Sequence, residues 1–318
     1  MDFVGKRRWF FIFSLVIIGA GILSILVPPG FRVGIEFTGG SALTVTFDEK
    51  VPQEEVRSLM TDLGYEEAIV QRLGEDAYLL RTRTLDEKAP KSSEESSERE
   101  QLERALANLA PIITSDLASI SAVVAKETVR NAIIAIFIAG VAILLYITWA
   151  FRAMDNSFRM GSVAIIATLH DVLVVVGMFS LLGKVWNLEI NVAFIIGILT
   201  VLGYSVHDTI VVFDRIRDNS ERRVSRVLAT TINISILETF SRSLTTSVTT
   251  LLVVSALLLL GGGTIQSLLV TLFVGILTGT YSSIAIASQL LVVWEQGEWL
   301  GLFKRRTADS DGASAQQE

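Results

Sequence analysis

Apolar residues dominate six stretches of the chain, and most charged residues fall in the segments between them. The six stretches begin near Trp9, Asn131, Gly161, Ile190, Glu238 and Thr264. A helix of about 20 residues, rising about 1.5 Å per residue, crosses about 30 Å of hydrocarbon. The pattern therefore predicts a polytopic α-helical membrane protein with six transmembrane helices.

The segment between the first and second spans has a different pattern, in which period-two alternation and helical spacing take turns. Its predicted elements are a strand over Ser41–Phe47, a helix over Gln53–Leu63, a strand over Ala77–Thr84, a solvated loop over Lys91–Glu100, a helix near Arg99–Leu109 and a strand over Ile112–Val124. We expect a small α+β domain with the order β-α-β-β-α-β, in which one strand is still unassigned.

These patterns divide the chain into four parts and orient it. The parts are the N-terminus with the first helix (1–28), the α+β domain (29–130), helices two to six (131–296) and a tail predicted to be disordered (297–318).

Basic residues lie in four groups, at Lys6–Arg8, Arg152 with Arg159, Arg215–Arg226 and Lys304–Arg306. With six spans all four groups fall on one side, which the positive-inside rule assigns to the cytoplasm. Both termini are then cytoplasmic and the α+β domain is extracytoplasmic.

Composition narrows the classes of function. The net charge of −6 argues against nucleic acid as a partner. The absence of cysteine excludes disulfides, thiolate catalysis and Cys-ligated zinc, and the two histidines are too few to build a metal site unaided. The α+β segment contains neither histidine nor cysteine. We expect a protein that is not an enzyme and needs no cofactor.

Two ionisable side chains lie inside consecutive predicted spans. Asp208 lies in the apolar run Ile190–Phe213, and Arg242 lies in the run Glu238–Leu260. Such groups cost about 2.5–3.5 kcal/mol on insertion scales, so they persist mainly where they are paired or line a polar path. Both lie toward the same membrane surface, which allows a direct or water-bridged pair. The pair is either a static ion pair that fixes helix register or a proton relay.

Small and polar residues form stripes on the fourth and fifth spans. Helical spacing places Gly197, Thr200 or Val201, Tyr204 and Asp208 on one face, and Arg242, Thr245, Thr246, Thr249 and Thr250 on another. The two stripes can face each other. On the sixth span, the spacing of Gly275 and Gly279 fits close helix packing.

The two histidines extend this polar interior. His170 and Asp171 lie near the middle of the third span, and His207 precedes Asp208. Each is a candidate for proton transfer, and a structural hydrogen bond is the competing explanation. The candidate ion-coupling set is therefore Asp208, Arg242, His207, His170, Asp171, Tyr204, Thr245 and Thr246.

Four motifs resemble the SecD/SecF family of protein-export membrane proteins. They are Gly34–Gly40 (GIEFTGG), His170-Asp171, Gly203–Arg217 (GYSVHDTIVVFDRIR) and Ser241–Leu251 (SRSLTTSVTTL). The third motif is highly specific, and the resemblance covers most of the chain except the middle of the α+β segment and the tail. It implies an RND-type bundle with a ferredoxin-like extracytoplasmic domain in a prokaryotic cell membrane.

The resemblance also implies partners and a function. Members of the family pair with SecD, join the SecYEG channel and use the proton gradient, or in some members the sodium gradient, to help translocate preproteins after SecA-driven insertion. By position, Asp208 and Arg242 match the residues assigned to ion coupling. The chain departs from the family pattern at His207, where Asn is frequent, and at Ala118–Glu127, which replaces a Gly-Pro-containing segment. Two alternatives stay open, a non-pumping scaffold subunit of the translocon and an RND-type small-molecule exporter.

Overall fold

The computed structural model describes residues 2–28, 30–73, 75–85, 97–154, 157–186, 188–261 and 265–297. Most of the predicted loop Lys91–Glu100 and nearly all of the predicted tail 297–318 lie outside these residues. In chain order the elements are α1 (Arg7–Leu26), α2 (Ile35–Thr38), β1 (Gly40–Phe47), α3 (Gln53–Asp62), β2 (Ile69–Arg72), β3 (Ala77–Thr82), α4 (Glu98–Ala107), β4 (Ile112–Ile120), α5 (Ala122–Ala150), α6 (Ser157–Trp186), α7 (Val192–Glu221), α8 (Leu228–Leu260), α9 (Gln266–Ser282), a π-helical segment (Ser283–Ala287) and α10 (Ser288–Gln296).

Within the described residues, six helices are long and apolar enough to cross a membrane, as the sequence predicts. They are α1, α5, α6, α7, α8 and the continuous run Gln266–Gln296, which consists of α9, the π-helical segment and α10. The second and fifth of them begin earlier than predicted, at Ala122 and Leu228. The predicted starts follow the apolar stretch, which begins where the charged residues end. A helix can extend beyond that stretch, because its backbone hydrogen bonds are internal. The exposed charges of Lys126 and Arg130 therefore lie on α5 rather than in a loop.

Small residues set how closely the helices pack. A Cβ atom on Gly21 would lie 2.7 Å from the Cα of Gly177, so α1 and α6 meet at their backbones. A Cβ atom on Gly279 of α9 would lie 3.2 Å from the Cα of Ser205 on α7. The close packing predicted for Gly275 and Gly279 is therefore confirmed, and it brings α9 against α7.

A four-stranded antiparallel sheet with the order β2-β3-β1-β4 forms the core of the α+β unit. Alternate residues of β1 (Leu43, Val45, Phe47) are buried, as period-two alternation requires. Helices α3 and α4 bury Val56, Met60, Leu102 and Leu106. The order β-α-β-β-α-β is the one expected, and the unassigned strand is β2. The predicted final strand is wrong at its end, because Ile120 closes β4 and α5 begins at Ala122.

The compact unit that contains this sheet consists of Arg32–Ile136 together with Glu189–Val192. The second piece, more than 50 residues further along the chain, contains the end of the connection between α6 and α7 and the first residue of α7. It falls outside the range 29–130 predicted for the domain.

Glu103 fixes α4 against β4 in the α+β unit. Its Oε1 accepts hydrogen bonds from Arg99 Nε at 2.9 Å and from Ser115 Oγ at 2.6 Å. Partial burial acts to raise the pKa of Glu103, but the hydrogen bonds from Ser115 and Arg99 outweigh it and hold that pKa below the ordinary value of 4.5. A carboxylate whose pKa is depressed by folding contributes stability above its unfolded-state pKa. That stability is lost as the pH falls through the folded-state pKa.

Glu103→Gln is expected to flatten the acid-side loss of stability of the α+β unit below pH 4.5, because the substituted side chain no longer titrates. Amide hydrogen exchange of β4, measured in the full chain over a range of acid pH, reports this change. Glu100→Gln is the matched control, since that side chain lies on the same helix and is 56% exposed. An acid-side profile identical to that of the unsubstituted protein would contradict the assignment.

Candidate functional site

Two carboxylates are buried inside the membrane-spanning helices. Asp171 on α6 has no exposed surface, and Asp208 on α7 is 5% exposed. Burial of an ionised carboxylate is costly unless hydrogen bonds or a cation compensate for the lost water. The partners of these two side chains therefore decide what the site can do.

Asp171 is held by three side chains from three elements. Its Oδ1 lies 2.9 Å from Nδ1 of the adjacent His170. Its Oδ2 accepts hydrogen bonds from the hydroxyls of Ser205 on α7 and, at 2.7 Å, Ser282 at the end of α9. The carboxylate thus joins α6, α7 and α9 at one point.

Asp208 is held by one hydroxyl group of the sixth spanning helix. Its Oδ2 accepts a hydrogen bond from Ser283 Oγ at 3.2 Å. The buried Ser243 hydroxyl of α8 lies near the same carboxylate without reaching hydrogen-bond geometry. Because Ser282 and Ser283 are consecutive, one dipeptide contacts both buried carboxylates. Both carboxylates therefore contact hydroxyl groups of the same short stretch of chain.

That stretch is where the sixth spanning helix departs from α-helical geometry. Ser283–Ala287 form a π-helical segment. Two buried side chains hydrogen-bond to its carbonyl oxygens, Ser288 Oγ to Ser283 at 2.8 Å and Gln289 Nε2 to Ile284 at 3.2 Å. Single π turns inside α-helices are rare and occur frequently at functional sites.

The direct ion pair that the sequence allows between Asp208 and Arg242 is not formed, although both residues belong to the described part of the chain. Arg242 is exposed and lies beside a cavity of about 530 Å³ that Asp214, Arg215 and Glu238 also line. The physical reason is a one-residue offset on α8. Neighbouring helix residues point about 100° apart, so Ser243 faces Asp208 and Arg242 does not. Neither a register-fixing ion pair nor a relay through direct contact of Asp208 with Arg242 therefore has its contact in this structure.

The other predicted site residues separate into two groups. His170, Asp171 and Asp208 lie in the hydroxyl-rich interior, and Tyr204 reaches toward α8, where its Oη donates to Ser247 Oγ at 3.3 Å. His207, Thr245 and Thr246 are exposed together with Arg242 on the outer faces of α7 and α8. Their roles in ion coupling stay predictions.

The serines that contact the two carboxylates were not predicted from the sequence. Ser205 precedes Asp208 by three residues and so shares its helix face. The dipeptide Ser282-Ser283 is the only pair of adjacent serines in the sixth span, and it is the signal that could have been followed. Among the residues described, no three His, Cys, Asp or Glu side chains come together as a potential metal site.

Fold and site together define a multi-pass helical membrane protein whose bundle encloses ionisable side chains. Residues 101–297 match the family described as protein export membrane protein SecD/SecF, C-terminal. The protein translocase subunit SecF of Thermobaculum terrenum is 42% identical over 96% of this chain and 97% of its own length. The chain belongs to the SecD/SecF family, as its motifs predict.

Relatives named SecDF contain a region similar to this chain within a longer protein. The SecDF of Bacillus subtilis is 34% identical over 93% of this chain but only 38% of its own length. The crystal structure of the translocon-associated membrane protein SecDF from Thermus thermophilus matches with a TM-score of 0.78 and 35% identity, over 93% of this chain and 39% of that one. A SecDF structure in a super-membrane-facing form matches with a TM-score of 0.63 at 32% identity.

Proposed function

We propose that this chain is a SecF-like subunit that acts with SecD and uses the transmembrane ion gradient to promote preprotein translocation through SecYEG after SecA-driven insertion. The coupling ion is the proton, with sodium as the competing ion. The chain is a transport subunit rather than an enzyme and needs no cofactor. It lies in a prokaryotic cell membrane with both termini in the cytoplasm and a ferredoxin-like α+β domain outside.

The shared contact of two buried carboxylates with Ser282-Ser283 carries this proposal. An ionised carboxylate needs strong donors or a cation, whereas a protonated one donates a hydrogen bond itself. A proton gained or lost at Asp208 therefore changes which hydroxyl orientation at Ser283 is favourable. Because Ser283 opens the π-helical segment, that change acts on a backbone stretch whose geometry already differs from its surroundings.

Energy from the gradient is sufficient for a modest rearrangement. One charge that crosses a potential of 100 mV gains about 2.3 kcal/mol. Coupling free energies between protein sites are typically about 1–3 kcal/mol. One or a few protons per cycle can therefore bias a movement between two packed arrangements of the helices.

SecD is the partner that we propose for the exposed polar face of α7 and α8, which is formed by His207, Arg242, Thr245, Thr246 and Thr249. Polar groups at membrane depth face lipid only at a cost, so such a face is expected to be covered by protein or to line a water-filled path. The relatives named SecDF support this choice, because this chain matches only 38% of the length of one of them.

Export in membrane vesicles tests the proposal. Vesicles that contain the chain with SecD and the channel are given ATP and a preprotein, with or without an ionophore and at two sodium concentrations. We expect the chain to add a component of export that vesicles without it lack. We expect the ionophore to remove this component. If the chain increases export by the same amount with and without the gradient, the gradient is not used and the scaffold alternative is correct.

A further inference from the structure

The connection between α6 and α7 forms a β-bridge with the segment that precedes the sheet. Val33 and Ile190 are paired in parallel orientation, outside the named strands. Gly34 N donates to Ile190 O at 2.8 Å, and Ile190 N donates to Arg32 O at 2.8 Å. Both backbone groups of Ile190 are therefore used in holding residues 32–34.

An ion pair strengthens this attachment. Arg81 on β3 pairs with Glu189, and the two side chains are only 10% and 18% exposed. Nη1 of Arg81 also donates to Val33 O at 3.1 Å. One guanidinium thus contacts Val33 of the β-bridge and Glu189, the residue before its partner Ile190. It joins both segments to the sheet, because β3 is paired with β1 on one side and β2 on the other.

Gly34 permits the close approach of the two segments. A Cβ atom at this position would lie 3.2 Å from Ile190 O and 3.3 Å from the Cβ of Asn191. Both distances are tighter than ordinary van der Waals contact. The first glycine of the GIEFTGG motif is therefore explained by this contact rather than by a left-handed backbone, since its φ is −68°.

We infer that residues 189–191 are the attachment through which movement of α7 acts on the α+β domain. Helix α7 begins at Val192, directly after the attachment, and carries Asp208 about 24 Å further along its axis. A shift or rotation of α7 therefore pulls on Ile190 and Glu189, and through Arg81 on the central strands of the sheet. This inference rests on the proposed function of Asp208.

Charge reversal tests the attachment. We expect Arg81→Glu and Glu189→Arg each to lower gradient-dependent export by about tenfold, within the usual range of coupling between sites. The double variant restores an ion pair of reversed polarity but not the hydrogen bond to Val33 O, so it is expected to recover part of the lost export. Export that is unaffected by either single change, or a double variant no better than the single ones, would overturn the inference.

An insertion separates coupling from folding. Two glycines placed between Asn191 and Val192 leave the bridge and the ion pair intact but make the link to α7 slack. Gradient-dependent export is expected to be lost although the α+β unit unfolds at the same temperature. The control is the same insertion after Gly64, a turn residue with φ +84° and no neighbour within 4 Å of its added Cβ. Equal export from both insertion variants would show that α7 does not act through this link.

Comparison of these variants with Asp208→Asn distinguishes failure of this inference from failure of the proposed function. If Asp208→Asn keeps gradient-dependent export, the proposed coupling role fails whatever the attachment does. If Asp208→Asn loses it while the reversal and insertion variants keep it, only the attachment fails.

Discussion

Asp208→Asn is expected to abolish the gradient-dependent component of export while the complex with SecD still assembles. Asparagine has nearly the same shape as aspartate and can still accept a hydrogen bond from Ser283, so the packing of α7 is preserved. It cannot gain or lose a proton. If one charge crossing 100 mV supplies about 2.3 kcal/mol, the driving force lost corresponds to a factor of about 50 in an equilibrium.

The measurement compares export in vesicles with and without an ionophore for the variant and for a matched control. Asp214→Asn is that control, because Asp214 is an acidic residue six positions further along the same helix with a side chain that is 58% exposed. Its partner is Arg217 at 2.6 Å, on the surface of the same helix. We expect the control to keep gradient-dependent export. Loss in both variants would point to a general effect of charge on α7, and retention in both would refute the coupling role of Asp208.

Asp208→Glu distinguishes titration from hydrogen bonding alone. Glutamate restores an ionisable group but extends it by one methylene, so partial gradient-dependent export is expected. Ser283→Ala keeps the carboxylate and removes its hydroxyl partner, which is expected to weaken coupling without removing it. An order of export in which Asp208→Asn exceeds Asp208→Glu contradicts a role for proton exchange.

The length of the apolar stretches and the spacing of apolar residues determined which features could be predicted from the sequence. The six spans followed from apolar length, and three strands of the sheet followed from alternation. Strand β2 was missed because it has only four residues and ends in Gln71 and Arg72, so its alternation is too short to recognise. The bridge between Val33 and Ile190 joins residues far apart in the sequence, and no local pattern records such a contact.

The site was predicted in part for a related reason. An ionisable residue in an apolar run is visible in the sequence, which led to Asp171 and Asp208. The stripe that contains Arg242 does not determine which way this side chain points from α8, because many positions fall within one broad face of the helix. Ser282 and Ser283 gave only the weak signal of two adjacent serines, since serine is common in membrane helices and often bonds only to its own backbone.

The small-residue contact between α7 and α9 determines whether these serines reach the carboxylates. A Cβ atom on Gly275 would lie 2.9 Å from the Cβ of Val201 and closer still to both of its methyl groups. Val201 is fully buried, so it cannot turn away. One turn further along, Gly279 packs on Ser205, the residue that donates to Asp171. Any increase in the separation of α7 and α9 therefore moves Ser205 and Ser282 apart.

Gly275→Ala is expected to destabilise the protein and to lower gradient-dependent export together. Overpacking of a close contact costs about 1–3 kcal/mol. The better helix propensity of alanine offsets at most about 1 kcal/mol of that. Gly140→Ala on α5 is the matched control, because an added Cβ there meets nothing within 4 Å.

Thermal unfolding in detergent, followed by helical circular dichroism, and export in vesicles measure the two effects. The midpoint is expected to fall for Gly275→Ala and to stay the same or rise for Gly140→Ala, since only the former separates two helices. A normal midpoint with lost export would show that the helix separation matters for coupling more than for stability. A normal midpoint with normal export would show that α7 and α9 adapt to the extra methyl group, so that the spacing of these helices does not limit how Ser205 and Ser282 hold Asp171.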